Sequence, residues 1–456
     1  IFMNQIAIPL NKIFMKQSIS PFWIPTTMIY PLSTIIIESI DSYSGASQKP
    51  IITNRFQDWF NKKKKSTAKI YHNGLDFVAQ RKRDINTLKF DSKHYQYLNN
   101  IEQTSNFMSA LSIQASAEQE LPFYYKKLFT GSHLNNVNSS SRAKELSLAQ
   151  NAIQRMDQGT SGAIIVIGAS LSGKTFFTET VAKTLIKKEK YYINPPSKQK
   201  FDATDLHKAF QKTFSKAGTT ESILNQLDQK TVLIFNDIEE WWVKSPDGSQ
   251  AINYLSKIIE NFGNRHYFLL NCSLQSFHII RKTSNLEKNL LSTIIMSPAS
   301  KSELKDIILN RHKTAGAELW FKDHLVDTNK KVDVLLNDIH LKTKGTIGVA
   351  LNAWVYNIQK TAEDKLIIQR PSSLSFPNIK DPNWKIILYH ILIHNRLKEG
   401  DLQKIFGSKK PMGIPETLKE MDKAGLIYKQ SQGTYVLNHH AKYYVENWLT
   451  ELKILN

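Results

Sequence analysis

The sequence predicts a three-layer α/β core built on a parallel sheet, then an α-helical lid, then a small helix-and-hairpin domain at the C-terminus. Three observations predict the core. A β-branched apolar run, AIIVIG at 163–168, passes through a glycine-bracketed loop into helical sequence. A second apolar run, VLIF at 232–235, ends in acids about sixty residues further on, and a third, HYFLLNCS at 266–273, ends in polar residues. Apolar runs without alternation fit strands buried on both faces, and such strands need helices above and below them.

The first run leads into Gly168, Ala169, Ser170, Leu171, Ser172, Gly173, Lys174 and Thr175, a full G-x-x-x-x-G-K-[ST] pattern with a strand before it and helical FFTETVAKTLIKK after it. Gly168 and Gly173 let the backbone curl so that successive N–H groups point inward at phosphate oxygens. Lys174 has the reach for the β and γ phosphates, and the Thr175 hydroxyl can ligate Mg²⁺. The N-terminus of the following helix adds its own positive end. ATP with Mg²⁺ is the expected ligand.

The second run, with Asn236, Asp237, Glu239, Glu240 and two tryptophans behind it, reads as a Walker B strand. Such a strand delivers a carboxylate to the metal at its C-terminal edge. Two registers are open. With VLIF as the strand, Asn236 takes the metal-side position and Asp237 the water-polarising one. Shifted by one, Asp237 becomes the metal ligand beside Thr175, and Glu239 or Glu240 serves the water. An asparagine cannot act as a general base, so residue 236 argues against fast hydrolysis more than against binding. The third run resembles the strand of additional-strand ATPases whose tip carries a polar sensor of the γ-phosphate, which makes Asn271 the candidate, with plain strand termination as the alternative. Cys272 reads as a small buried hydrophobe.

The chain has 456 residues, enough for two or three domains. Its single cysteine leaves no intramolecular disulfide framework and no multi-cysteine metal site. Sixty Lys and Arg against forty Asp and Glu give a formal charge of +20, which favours an anionic partner, nucleic acid or a membrane surface. The alternative is a solvated lysine-rich surface. Mean hydropathy is −0.36, and no uninterrupted apolar window of about 18 residues predicts a transmembrane helix. The expected location is the cytoplasm, with the inner face of the membrane as a second option. The chain opens on Ile1 rather than methionine, which leaves room for residues upstream, a membrane segment among them.

In chain order, residues 1–55 are apolar but broken by Pro9, Pro21, Pro25, Pro31 and Pro50, which suits an interfacial arm or one packed on its own domain. No ordered basic, apolar and small-residue regions mark a secretory signal. Lys62 to Lys65, Arg81, Lys82 and Arg83, interleaved with Trp59, Phe60, Tyr71 and Phe77, form a basic stretch suited to phosphates of nucleic acid or lipid. Residues 95–140 read as a connecting region that ends in the linker NNVNSSS. Residues 1–138 are therefore taken together as a basic and linker region ahead of a core at 139–300. The core opens with a helix carrying Leu146, Ala149, Ile153 and Met156 on one face, its lead-in at Arg142 and Glu145 placed to touch an adenine.

Beyond the core, SELKDIILNRHKTAG at 302–316 begins a lid spanning 301–375. Arg281 and Arg311 are read either as phosphate contacts or as charges complementing helix C-termini. Gly345 to Trp354 opens a lid helix in which Gly348 and Val349 stand where such lids usually carry a sensor arginine. Residues 376–456 follow the pattern of a winged helix: helix, short helix, longer helix, Gly-tipped hairpin. Glu416, Glu420 and Asp422 offset Lys419 and Lys423 on the third helix, which favours a protein contact or a purely architectural role over reading a DNA groove.

From about residue 139 onward, these features resemble AAA+/STAND-type P-loop ATPases with a C-terminal winged helix, a layout shared with archaeal ATPases and origin-recognition-like proteins. The segments NDIEEWW (236–242) and RHKTAG (311–316) resemble matching segments of large bacterial ATP-binding proteins, some of them membrane-tethered. The resemblance implies a nucleotide-driven switch that hydrolyses ATP by in-line attack of water, with a possible protein partner or second copy at the winged helix. The alternatives are a DNA-binding ATPase of the replication-initiator or transposition-helper kind, and a scaffold that keeps ATP without hydrolysing it.

Overall fold

A computed structural model describes residues 100–116, 121–130, 142–196, 200–322, 324–326, 331–360, 365–371, 374–407, 413–430 and 433–455. The proline-broken arm and the basic stretch of the N-terminal region lie outside these residues. Two helices lead in, α1 (Asn100–Ser116) and α2 (Phe123–Thr130), and α3 (Ala143–Asp157) follows. The core runs through β1 (Ala163–Gly168), α4 (Lys174–Val181), β2 (Lys190–Tyr192), α5 (Ala203–Phe214) and α6 (Thr220–Asn225). It is completed by β3 (Val232–Phe235), α7 (Gln250–Phe262), β4 (Tyr267–Ser273), α8 (Leu274–Thr283) and β5 (Leu290–Ile295).

The five strands form one parallel sheet in the order β2-β3-β4-β1-β5. Side chains alternate across its faces. Ile165, Ile167, Leu233, Phe235, Phe268 and Leu270 pack with helices α5, α7 and α8. Ile164, Val166, Val232, Ile234 and Leu269 pack on the other side against Ala149, Ala152, Ile153 and Met156 of α3 and Phe177 and Val181 of α4. This is the three-layer α/β core that the apolar runs predict. The β4 strand lies between the two strands that carry the loop and the acids, so all three tips face one edge.

The segment expected as a plain connection differs: part of it is helical and built into two apolar cores. Phe107, Met108 and Leu111 of α1 enter the cluster that holds the sheet and the C-terminal residues, with Phe107 edge-on to Phe376 and Tyr444 at 5.2 and 5.4 Å. Tyr125 and Phe129 of α2 enter the lid instead. Each helix buries a narrow stripe at i, i+4 spacing, too short a signal to stand out against polar surroundings.

The lid comprises α9 (Lys301–Ala315), β6 (Leu319–Phe321), β7 (His324–Leu325), α10 (Val332–Thr343), α11 (Ile347–Tyr356), β8 (Ile358–Lys360) and β9 (Leu366–Ile368). It was expected to be helical, yet its short strands pair in the order β7-β6-β9-β8. A capping box between Ser300 and Glu303 starts α9, and Gly316 in the left-handed region ends it. The Tyr125 hydroxyl meets both His312 Nδ1 (3.1 Å) and Trp354 Nε1 (2.9 Å), fastening α2 to the lid.

The C-terminal part runs α12 (Pro382–His394), β10 (Arg396–Lys398), α13 (Glu399–Phe406), α14 (Ile414–Lys423), β11 (Ile427–Lys429), β12 (Thr434–Leu437) and α15 (Lys442–Glu451). Its strands form an antiparallel sheet, β10-β12-β11. Trp384, Ile387, Leu388 and Ile391 of α12 share one apolar cluster with the core sheet. The Trp242 ring stacks on His394 at 4.8 Å, and His394 Nε2 accepts the Lys244 N–H at 3.0 Å while its Nδ1 faces the His390 carbonyl at 2.7 Å. Among the described residues, no helix is long and apolar enough to cross a membrane.

Burial pulls His394 down to about 4 and His390 to about 3, so both are neutral in the folded chain near neutral pH. The unfolded chain protonates them near the ordinary 6.5. Stability is therefore fully present above about pH 6.5 and is lost as pH falls toward about 4. Thermal melts across this window should show a falling Tm. The slope should be shallower in His394→Gln, which keeps an acceptor for Lys244; an unchanged slope would contradict the assignment.

Candidate phosphate-binding site

The 168–175 loop leaves β1 at the sheet's carboxyl edge and turns into α4. Gly173 sits at φ 90°, a left-handed position that suits glycine and that starts the helix with Lys174. Leu171, at the apex, holds φ 61° without being a glycine. It is pinned from the lid, because the Gly348 N–H donates to the Leu171 carbonyl at 2.9 Å. A Cβ on Gly348 would lie 2.8 Å from that oxygen and 2.9 Å from the Leu171 Cβ. The absent sensor arginine thus has a steric counterpart: backbone approaches backbone where a side chain would begin.

Beside the loop, β3 ends at Phe235 and the chain bends sharply, with Asp237 in the left-handed region at φ 49°. Asn271 holds this bend. It is fully buried, its Oδ1 accepts the Asp237 N–H at 2.7 Å, and its Nδ2 donates to Asn236 Oδ1 at 2.5 Å. The side chain that was expected to sense a phosphate therefore also fixes the backbone of the acidic bend.

The two glutamates behind that bend separate in role. Glu239 is buried, with Oε1 accepting the Ser273 N–H at 3.1 Å and Oε2 lacking a nitrogen or oxygen partner. Burial, aided by the charge of Asp237, pushes its pKa up to about 7, while Lys174 and Lys442 pull the other way. Glu240 instead turns to the C-terminal residues, accepting Asn395 Nδ2 at 2.7 Å and pairing with Arg396 at 3.0 Å. Both feel the charge of Asp237, but of the two it is Glu239 that also feels Lys174. Cys272 is buried and its thiol pKa is raised well above the usual range by that burial, with the Glu239 charge adding to it, so it packs rather than reacts.

Other predicted residues lie elsewhere. Thr175 is exposed in the first turn of α4. Arg142 bridges Glu145 (3.1 Å) and the Ser297 carbonyl (2.8 Å), tying the lead-in of α3 to the end of β5. Arg311 is buried in the lid against the Leu128 carbonyl, where burial lowers it to about 10, and Arg281 pairs with Glu287 at 3.5 Å. Neither arginine has a phosphate-loop partner in these contacts.

Two residues missed in the sequence reach the loop from α15. The Ser170 N–H donates to Glu446 Oε2 at 2.9 Å, with both residues buried. Lys442, one turn earlier, donates to Asn395 Oδ1 at 2.6 Å and lies in the field of Lys174, Glu239, Asp237 and Glu446. The only local hint was an i, i+4 Lys–Glu spacing that usually marks a solvated helix face. The residues fit a phosphate group: a loop N–H already holds a carboxylate, the charge of Lys174 reaches Lys442 and Glu239 nearby, and the Ser172 hydroxyl is buried without a partner. Among the described residues, no group of three or more His, Cys, Asp or Glu forms a ready metal cage.

No protein-family model matches the chain, and no curated protein matches it. Solved structures do. The chain is similar to archaeal ORC proteins. The ORC2 protein of Aeropyrum pernix, solved in ADPNP–ADP complexes, is 15% identical, with 72% of this chain and 98% of that one covered at a TM-score of 0.41. The ORC1 protein of the same organism, solved with DNA, is 14% identical over 71% and 96%, also at 0.41. A Walker-type ATPase of Pyrococcus abyssi is 10% identical over 67% and 95%, at 0.35. Identities and scores this low leave the site to be read from its own geometry.

Replacing Gly348 by Val should force the lid off the loop apex. An over-packed contact of this kind costs about 1–3 kcal/mol, read as a lowered midpoint in urea unfolding. An unchanged midpoint would mean that the lid does not rest on Leu171.

Proposed function

We propose that this chain binds ATP with Mg²⁺ at residues 168–175 and uses it as a conformational switch between core, lid and C-terminal domain, with hydrolysis as the reset. The observation that carries the reading is the loop itself. It is glycine-started, it aims an N–H at a carboxylate, and it stands one strand away from an acidic bend. In this reading Lys174 and the loop N–H groups hold the phosphates, and Thr175 and Asp237 hold the metal, which supplies positive charge against the phosphate oxygens. Glu239 orients the attacking water, since Glu240 is committed to Arg396 and Asn395. Asn271 acts as a positioning residue for Asp237, with its γ-phosphate sensor role resting on its place near the carboxyl end of β4, two residues before Ser273. The C-terminal residues 376–456, whose order of helices and hairpin supports a winged helix, carry the output.

A DNA-binding ATPase is the second reading, favoured by the +20 charge. The third helix of the C-terminal part does not strengthen it, since Glu420 on α14 accepts the Trp384 Nε1–H at 3.1 Å within the fold. A protein or membrane partner, at the membrane's inner face or in the cytoplasm, is what the first reading implies for the output.

Lys174→Ala should weaken ATP binding by roughly a hundred-fold or more, because the loop's charge partner for the phosphates is removed. Asp237→Ala should keep affinity within about ten-fold while turnover drops by roughly a hundred-fold. Titration calorimetry and phosphate release measure the two. Binding and turnover like wild type in both variants would sink the site assignment; binding without turnover in wild type would favour the non-hydrolysing scaffold. Duplex affinity falling steeply with salt would favour the DNA reading.

A further inference from the structure

The ring of contacts around Ser170 has a consequence beyond the nucleotide site. Glu446 is a carboxylate only 6% exposed, and the partner that holds it is a backbone N–H of the phosphate loop, 276 positions away in sequence. A buried carboxylate needs such compensation, and a curled loop of N–H groups is well suited to supply it. Lys442, on the same face of α15, leads from Glu446 to Asn395, and Asn395 leads on to Glu240 and the acidic bend. The C-terminal helix is thereby linked to both halves of the site.

We propose that Glu446 is a built-in competitor for the phosphates: it occupies the loop when nucleotide is absent, and nucleotide binding expels it and loosens the first turns of α15. The inference rests on the ATP-binding reading above and names the regulation of that same site. The physical reason is charge. A phosphate entering the loop claims the Ser170 N–H and brings several negative oxygens against a carboxylate in a poorly solvated site, so the two cannot share it. The rest of α15 stays anchored by Val445, Trp448 and Leu449 in the core shared with α12, so expulsion acts on the helix start rather than releasing the domain.

The test compares wild type, Glu446→Gln and Lys174→Ala in calorimetric titrations with Mg·ADP. Glu446→Gln keeps the shape but removes the charge, and should bind roughly ten-fold tighter than wild type. Binding by Glu446→Gln alone, with none by wild type, would support the proposal in its strongest form. Equal or weaker binding by Glu446→Gln, with Lys174→Ala still weakening binding by roughly a hundred-fold or more, would overturn the competitor while leaving the ATP site standing. No binding by any of them would overturn both. A measurement on wild type alone covers a variant that fails to fold. On adding Mg·ADP, hydrogen exchange should slow in peptides covering 168–175 and quicken in those covering the start of α15, 442–446. Slowing in both would refute the expulsion.

Discussion

A loop N–H turned toward a buried carboxylate is a local demand for negative charge, and it must be met by an anion or by water. In this chain the Ser170 N–H is met by Glu446. Burying β1 between β4 and β5 delivers the loop to the edge where β3 and β4 also end. Within the chain that demand is answered at Ser170 by a carboxylate borne on the last helix.

Three parts of the chain meet at that loop, each through a different kind of contact. The core contributes the acidic bend, held by both ends of the Asn271 amide. The lid contributes a backbone hydrogen bond to a non-glycine residue in a left-handed conformation, a strained apex kept in place by its surroundings. The C-terminal part contributes charges, Lys442 and Glu446 at the loop and Arg396 and Asn395 at Glu240. The lid and C-terminal contacts both fall on the same short loop.

Much of the core was legible because its signals are local. The runs at 163–168, 232–235 and 266–273 announce buried strands, and the glycine-lysine-threonine spacing announces the loop between the first of them and α4. The stripe Ala149, Ile153 and Met156 announces α3 and lies in the core as its spacing requires. What was not legible depends on distant partners. Nothing near Glu446 distinguishes it from a surface carboxylate until the fold brings Ser170 to it. The choice between Glu239 and Glu240 is undecidable from NDIEEWW, since it turns on where Arg396 lies. Gly348 read as a missing arginine, whereas its meaning is the closeness of the Leu171 carbonyl. The lid strands β6 to β9 are only two or three residues each, too short to show a period.

The central claim is that the loop N–H groups form a phosphate site. The most direct measurement is the backbone amide spectrum of ¹⁵N-labelled protein during titration with Mg·ATP. Resonances of Ser170 to Thr175 should move together and saturate, with Ser170 among the largest as it exchanges one anion for another. A titration in which those amides stay still while the protein remains folded would contradict the claim.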